Sequence, residues 1–114
     1  MTPGAVTVYL ALGPVDLRGA FDRLAALTRQ VLCLDPASGA LFLFLNRRRN
    51  RLKALWWDRN GYTILYKRLA RGTFPVPEAP PSDCACLEIS SEDLARLLAG
   101  LSIGATATGP RILQ

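Results

Sequence analysis

No histidine occurs in the 114 residues. The commonest general base is therefore missing, and with it half of every Ser/His or Cys/His nucleophile arrangement, so hydrolytic triads of the usual kind are excluded. Cysteine is scarce and odd in number: Cys33, Cys84 and Cys86. Three thiols do not make a disulfide framework, and a four-ligand zinc site would need a carboxylate as its last member, so reduced structural thiols are expected, with no metal and no cofactor. Long apolar runs are missing too. Two apolar stretches, Val6 to Val15 and Val31 to Asn46, carry little or no charge, the second broken by Asp35, Pro36 and Gly39. Both fall short of the roughly 18 apolar residues of a membrane span. No Lys or Arg stands in Met1 to Gly4, so the charged start of a signal peptide is not seen and a cytoplasmic location, away from any membrane, is expected.

What is present is apolar mass and one block of positive charge. Half the residues are hydrophobic, 20% are charged and the mean hydropathy is +0.18. Such a chain can bury enough surface to offset its ordering entropy, as a single domain over residues 1–103 with 104–114 as a flexible tail. The net charge of +5 is unevenly spread. Arg47, Arg48, Arg49, Arg51, Lys53, Arg59, Lys67, Arg68 and Arg71 share their segment with one acid, Asp58, whereas the rest of the chain has five bases and eight acids. Neighbouring cations raise each other's potential, and segregation of this kind suits a polyanion.

Hydrophobic spacing outlines the elements. Val6 to Leu10 reads as a strand closed by Gly13-Pro14. Asp16 stands where a helix cap belongs, ahead of a helix over 17–32 with Leu17, Ala20, Phe21, Leu24, Leu27 and Val31 inward. Asp35 to Gly39 is a turn, and Leu41 to Leu45 a central strand. Asn46 to Asn50 is a polar hairpin loop with three consecutive arginines, followed by a strand from Arg51 to Trp57. Asn60-Gly61 predicts a two-residue turn that pairs Arg59 with Tyr62, Trp57 with Ile64 and Leu55 with Tyr66. One face then carries Lys53, Leu55, Trp57, Arg59, Tyr62, Ile64 and Tyr66. The other, with Leu52, Ala54, Trp56, Thr63 and Leu65, is the better core candidate. Symmetric pairing of the first hairpin would set Leu41, Leu43 and Leu45 on the face of Trp57, while Trp56 is expected in the core.

Beyond Arg71, Phe74 to Pro77 reads as an edge segment, Glu78 to Asp83 as a linker and Cys84 to Ile89 as a short strand. Ser91 is expected to cap a short C-terminal helix with Leu94, Leu97 and Leu98 inward and Gly100 as its stop. The fold class is therefore α+β: a mostly antiparallel sheet of four to six strands, one long amphipathic helix and a short C-terminal one.

A charge run by itself is more often a solvated face than a binding site. Here arginine dominates and alternates with aromatic residues on paired strands, which suits bidentate phosphate contacts and base stacking. The candidate nucleic-acid-binding set is Arg47, Arg48, Arg49, Arg51, Lys53, Trp57, Arg59, Tyr62, Lys67, Arg68 and Arg71. Cys84-Ala85-Cys86 is better read as buried thiols than as a metal clip. A carboxylate metal set of Asp16, Asp22, Asp35 and Asp58 loses its members to capping and turn formation. No catalytic residue is assigned.

The chain resembles the TnpB accessory proteins, the second open reading frame products of the insertion-sequence-66 class of bacterial transposons. The matching stretches are Val8 to Leu10, Asp16 to Leu27, Asp35 to Phe42, Asn46 to Arg48, Tyr66 to Phe74 and Leu94 to Leu101. The most specific is Leu52-Lys53-Ala54-Leu55-Trp56-Trp57-Asp58-Arg59-Asn60-Gly61-Tyr62. Ala70 stands where the family usually has Glu, and Arg49-Asn50 where a Gly or an acid is common. The resemblance implies a non-enzymatic accessory of DNA transposition that works alongside a separate transposase. Two readings follow: direct contact with transposon DNA through the arginine hairpin and the basic-aromatic face, or an adaptor that docks on the transposase without binding DNA.

Overall fold

Large apolar side chains on both sides of short strands oblige the sheet to be covered on both faces. The computed structural model describes residues 6–76 and 86–101, together with the backbone of 110–111. In chain order the elements are β1 (Val8–Ala11), α1 (Phe21–Gln30), β2 (Leu41–Leu45), β3 (Arg51–Asp58), β4 (Gly61–Arg68), β5 (Cys86–Ile89), α2 (Ser91–Leu98) and β6 (Pro110–Arg111). They form one six-stranded sheet in the order β4-β3-β2-β1-β5-β6. Only β1 and β2 run parallel, because the long crossover through α1 returns the chain in its starting direction. The α+β class and the mostly antiparallel sheet agree with the sequence pattern. No helix among the described residues is long and apolar enough to cross a membrane.

Register decides which residues share a face. Phe42 lies opposite Leu55 and Phe44 opposite Lys53. Tyr9, Ala11, Phe42, Phe44, Leu55 and Cys86 therefore meet Leu17, Leu24, Ala25 and Leu32 beneath α1. Leu43, Leu45, Leu52, Ala54, Leu87 and Ile89 turn the other way, against Leu97 and Phe74. The expectation that Leu41, Leu43 and Leu45 would join Trp57 is thus reversed: Phe42 and Phe44 share its side. Both faces hold core, and Trp56 is only half-buried beside Leu94 and Leu98 rather than wholly interior. Phe74, expected in an edge segment, is 1% exposed and plugs the second face.

The first helix is shorter than the periodicity implies. It starts at Phe21 after Ala20, with no side-chain cap, and Asp16 lies a full turn ahead of it. Asp16 instead closes a local turn by accepting from the backbone N–H of Arg18 at 3.0 Å. Leu24, Ala25 and Thr28 point inward, while Phe21 and Val31 are 45% and 54% exposed. The register of apolar spacing carried past both ends of the true helix. At the second helix the cap is Ser90 rather than Ser91, its hydroxyl accepting from Asp93 N–H at 3.0 Å. Gly100, with φ +78°, ends the helix as glycine can. The linker expected at Glu78 to Asp83, and Cys84 with Ala85, lie outside the described residues. Cys33 is exposed and Cys86 buried. Pro110–Arg111, within the segment expected to be a tail, pairs with β5.

The second hairpin forms with its turn displaced. Asp58 pairs with Gly61, Trp57 with Tyr62 and Leu55 with Ile64, so Arg59 and Asn60 are the loop residues. Trp57 therefore meets Tyr62 where Ile64 was expected, a slide of two residues. Such a slide keeps every strand side chain on its expected face, whereas a slide of one would have inverted them. The left-handed conformation falls on Arg59 at φ +58°, and Gly61 is not among the positive-φ glycines. Open space surrounds the position a Cβ would take at Gly61. Gly61→Val should therefore change stability by less than about 0.5 kcal/mol. Arg59→Gly should raise it by up to about 1 kcal/mol through relief of backbone strain. Urea denaturation followed by tryptophan fluorescence measures both; the opposite ranking would return the turn to Asn60-Gly61.

Candidate nucleic-acid interface

The arginine loop is built around one side chain. Asn46 Oδ1 accepts from the backbone N–H groups of Asn50 and Arg51, both at 3.0 Å, and Asn46 Nδ2 donates to Asn50 Oδ1 at 2.7 Å. The Asn46 carbonyl accepts from Arg49 N–H at 3.0 Å, and Arg49 takes φ +57° to turn the chain back. An amide that bridges its own loop in this way leaves little for Arg47, Arg48 and Arg49 to do structurally, and all three are exposed. Among the described residues their side chains form no ion pair. The chain after β4 buttresses the same loop: Leu69 N–H donates to the Asn50 carbonyl at 2.9 Å and Phe74 N–H to that of Arg49 at 2.6 Å. Arg71 is carried past on this strap, and Arg68 lies opposite Arg51 at the strand ends.

Between this hairpin and the segment ahead of α1 lies an open groove of about 600 Å³. Arg18, Arg47, Arg48, Arg51, Lys53 and Tyr66 line it, and Asp16 is the one acid among its described lining residues. Lys53 forms the floor and is not a free cation. Its Nζ donates to the carbonyls of Leu17 at 2.6 Å and Gly19 at 2.8 Å, and lies 5.2 Å from the centre of the Tyr66 ring. Asp16 holds Arg18 in a fork, with Nε at 3.0 Å from Oδ1 and Nη2 at 2.8 Å from Oδ2. The Arg18 side chain and its backbone N–H hold the Asp16 carboxyl well below the usual carboxylate range. The pair is exposed, so it orients Arg18 more than it stabilises the fold.

Eleven residues expected from sequence to form one surface are therefore divided by the sheet. Arg47, Arg48, Arg49, Arg51, Arg68 and Arg71 gather at one end. Trp57, Arg59 and Tyr62 lie at the other, separated along β3 by about 20 Å. Trp57 is half-buried, packs edge-on to Tyr62 at 5.0 Å and donates its indole N–H to the Arg59 carbonyl at 3.2 Å. Lys67 is on the opposite face, its ammonium bound to the Leu98 carbonyl at 2.5 Å. Sequence reasoning missed Arg18 and Tyr66 as groove residues. A helix over 17–32 would set Arg18 on its outer side, but α1 does not extend so far; the tight Asp16-Leu17-Arg18-Gly19 turn is the available signal. No group of three or more His, Cys, Asp or Glu among the described residues could hold a metal ion.

With this geometry in place, known proteins can be compared. A family model described as IS66 Orf2-like protein matches residues 6–108. The uncharacterized protein y4hO of Sinorhizobium fredii is 38% identical over 96 residues, covering 84% of this chain and 81% of its own. A second protein of that organism, the uncharacterized protein y4jC, is 37% identical over 94 residues, covering 82% and 78%. No solved structure matches the chain.

The Asn46 bridge is open to test. Asn46→Ala removes three hydrogen bonds from a part-buried site and should lower the unfolding free energy by about 1–3 kcal/mol. It should also speed amide exchange at Asn50 and Arg51, whose N–H groups lose their acceptor. Unchanged exchange at both amides would mean that the loop is held by something else.

Proposed function

Because the chain belongs to the IS66 Orf2-like family, whose role is accessory to transposition, we propose that it fills this role by contacting DNA through the groove and arginine loop at one end of its sheet. The observation that carries the reading is the charge of Arg47, Arg48 and Arg51 on a braced loop, with no ion-pair partner among the described residues, beside an Arg18 oriented by Asp16. A guanidinium held in bidentate geometry by one anionic group is oriented for another, and phosphate oxygens are the anions DNA offers. Preorganisation lowers the ordering cost of binding, since the backbone of the loop does not have to be fixed again. Arg49, Arg68 and Arg71 widen the positive field around the groove, and such a field speeds encounter with a polyanion.

The contact set is dominated by guanidinium charge, which meets the phosphate backbone of any sequence. Binding is thus expected to be strong at low salt, weak in sequence preference and independent of catalysis by this chain. Trp57 and Tyr62, packed on each other at the far end, take no part. Transposase of the same element is the expected second partner, which would supply the chemistry and the choice of site.

Replacing Arg47, Arg48 and Arg49 together with Ala tests the reading. Fluorescence anisotropy on a labelled duplex should show weaker binding to every sequence, with the slope of log K against log salt reduced by about two to three. Trp57→Phe should leave both unchanged. Wild-type protein that binds no DNA at low salt, alone or with transposase, would overturn the proposal in favour of the adaptor reading.

A further inference from the structure

The two edges of the sheet differ in kind. At one edge β6 has two residues, and one of them is Pro110, which has no N–H to offer. At the other edge β4 runs for eight residues, Gly61–Arg68, without a proline. The turn closed by Asp58 and Gly61 fixes which backbone groups of β4 face β3. In a two-residue hairpin these belong to Gly61, Thr63, Leu65 and Lys67, so those of Tyr62, Ile64, Tyr66 and Arg68 point away from the sheet. Among the described residues no hydrogen bond takes up the outward groups. The middle of this edge is also apolar: Leu65 is 45% and Tyr66 51% exposed. Leu65 closes one side of an apolar cavity of about 290 Å³, walled by Leu41, Leu43, Trp56, Leu94 and Leu98.

We propose that a second copy of this chain pairs antiparallel along β4, with the two-fold axis at Leu65, to make a continuous sheet of both protomers. This register engages every outward group, setting Tyr62 against Arg68 of the second copy and Ile64 against its Tyr66. Parallel pairing would stack Lys67 and Arg68 on their counterparts; the antiparallel arrangement separates these cations and lays Arg68 beside a tyrosine ring. On the opposite face Leu65 meets the second copy's Leu65, so the apolar cavities of the two protomers adjoin. The interface is one strand edge with its flanking side chains, a small contact of the kind that weak, reversible dimers make. The axis stands perpendicular to the sheet, so both basic grooves open on the same side, with the two Tyr66 residues near the axis. If the DNA reading above holds, the dimer would offer a duplex one continuous basic tract.

The test is made without DNA, so it fails or succeeds independently of that reading. Sedimentation velocity of the full chain between about 1 and 200 µM should show a monomer–dimer equilibrium. Leu65→Lys, at an exposed position, should weaken it at least tenfold with circular dichroism and melting temperature little changed. In a Cys33→Ser, Cys84→Ser background, which keeps only the buried Cys86, Leu65→Cys should give a dimer on a non-reducing gel after mild oxidation, whereas Val31→Cys, exposed at the end of α1, should not. A monomer throughout the range, a dimer indifferent to Leu65→Lys, or equal cross-linking at Val31→Cys would each overturn the proposal. Should Leu65→Lys disturb folding, the cross-linking pair still decides.

Discussion

The ammonium of Lys53, held by the carbonyls of Leu17 and Gly19, ties the middle of the sheet to the turn before α1 and so shapes the basic groove between them. Lys53 is on β3 and the two carbonyls are in the turn before α1, so three hydrogen-bonding groups join parts of the chain more than thirty residues apart. Buried or half-buried carbonyls without partners are costly, and a lysine next to an apolar face would otherwise have to reach for solvent. The arrangement satisfies both needs. It also ties the turn of Asp16 to Gly19 down on β3, and α1 begins only after that turn, at Phe21. Arg18 is thereby held beside the groove that Lys53 lines.

Around that anchor, charge and packing are kept apart. The core lies on both faces of β2, whose Phe42, Leu43 and Phe44 are at most 1% exposed. The arginines occupy the loop after it, where length and charge cost no packing. Asn46 makes the separation workable: its amide oxygen accepts from the backbone N–H groups of Asn50 and Arg51, which donor-only arginine side chains could not do. Asp16 sets the direction of one guanidinium, that of Arg18, in a groove whose other charged lining residues are all cations. Association with an anionic polymer then asks for little rearrangement, and its strength should follow ionic strength rather than sequence.

Much of this was legible in the residues because it depends on period and composition. Alternation along Leu52 to Trp57 and Tyr62 to Tyr66 assigned the faces correctly even though the turn was displaced, since a slide of two residues preserves parity. Block charge located the arginine loop, and Asn46 to Asn50 was read as a hairpin loop. What the sequence did not reveal depends on long-range partners. Lys53 counts as a positive charge in any linear reading, yet its charge is committed to two distant carbonyls, and Lys67 is likewise bound at the end of α2. Trp57 alternates with basic residues as a stacking platform would, but Tyr62 and the Arg59 carbonyl occupy it. Leu17, Ala20 and Val31 keep a helical spacing that the helix itself does not span.

The central claim is that DNA meets the protein at the end of the sheet holding Asn46 to Arg51 and the turn of Asp16 to Gly19. Heteronuclear NMR of the labelled protein titrated with a short duplex at low salt tests it residue by residue. Amide shifts are expected at Asn46 to Arg51, at Leu17 to Gly19 and at Tyr66 to Arg68, receding as salt is added. Trp57 to Tyr62 and the residues of α2 should stay in place. Shifts confined to Trp57 to Tyr62 or to α2, or no shifts at all, would contradict the account.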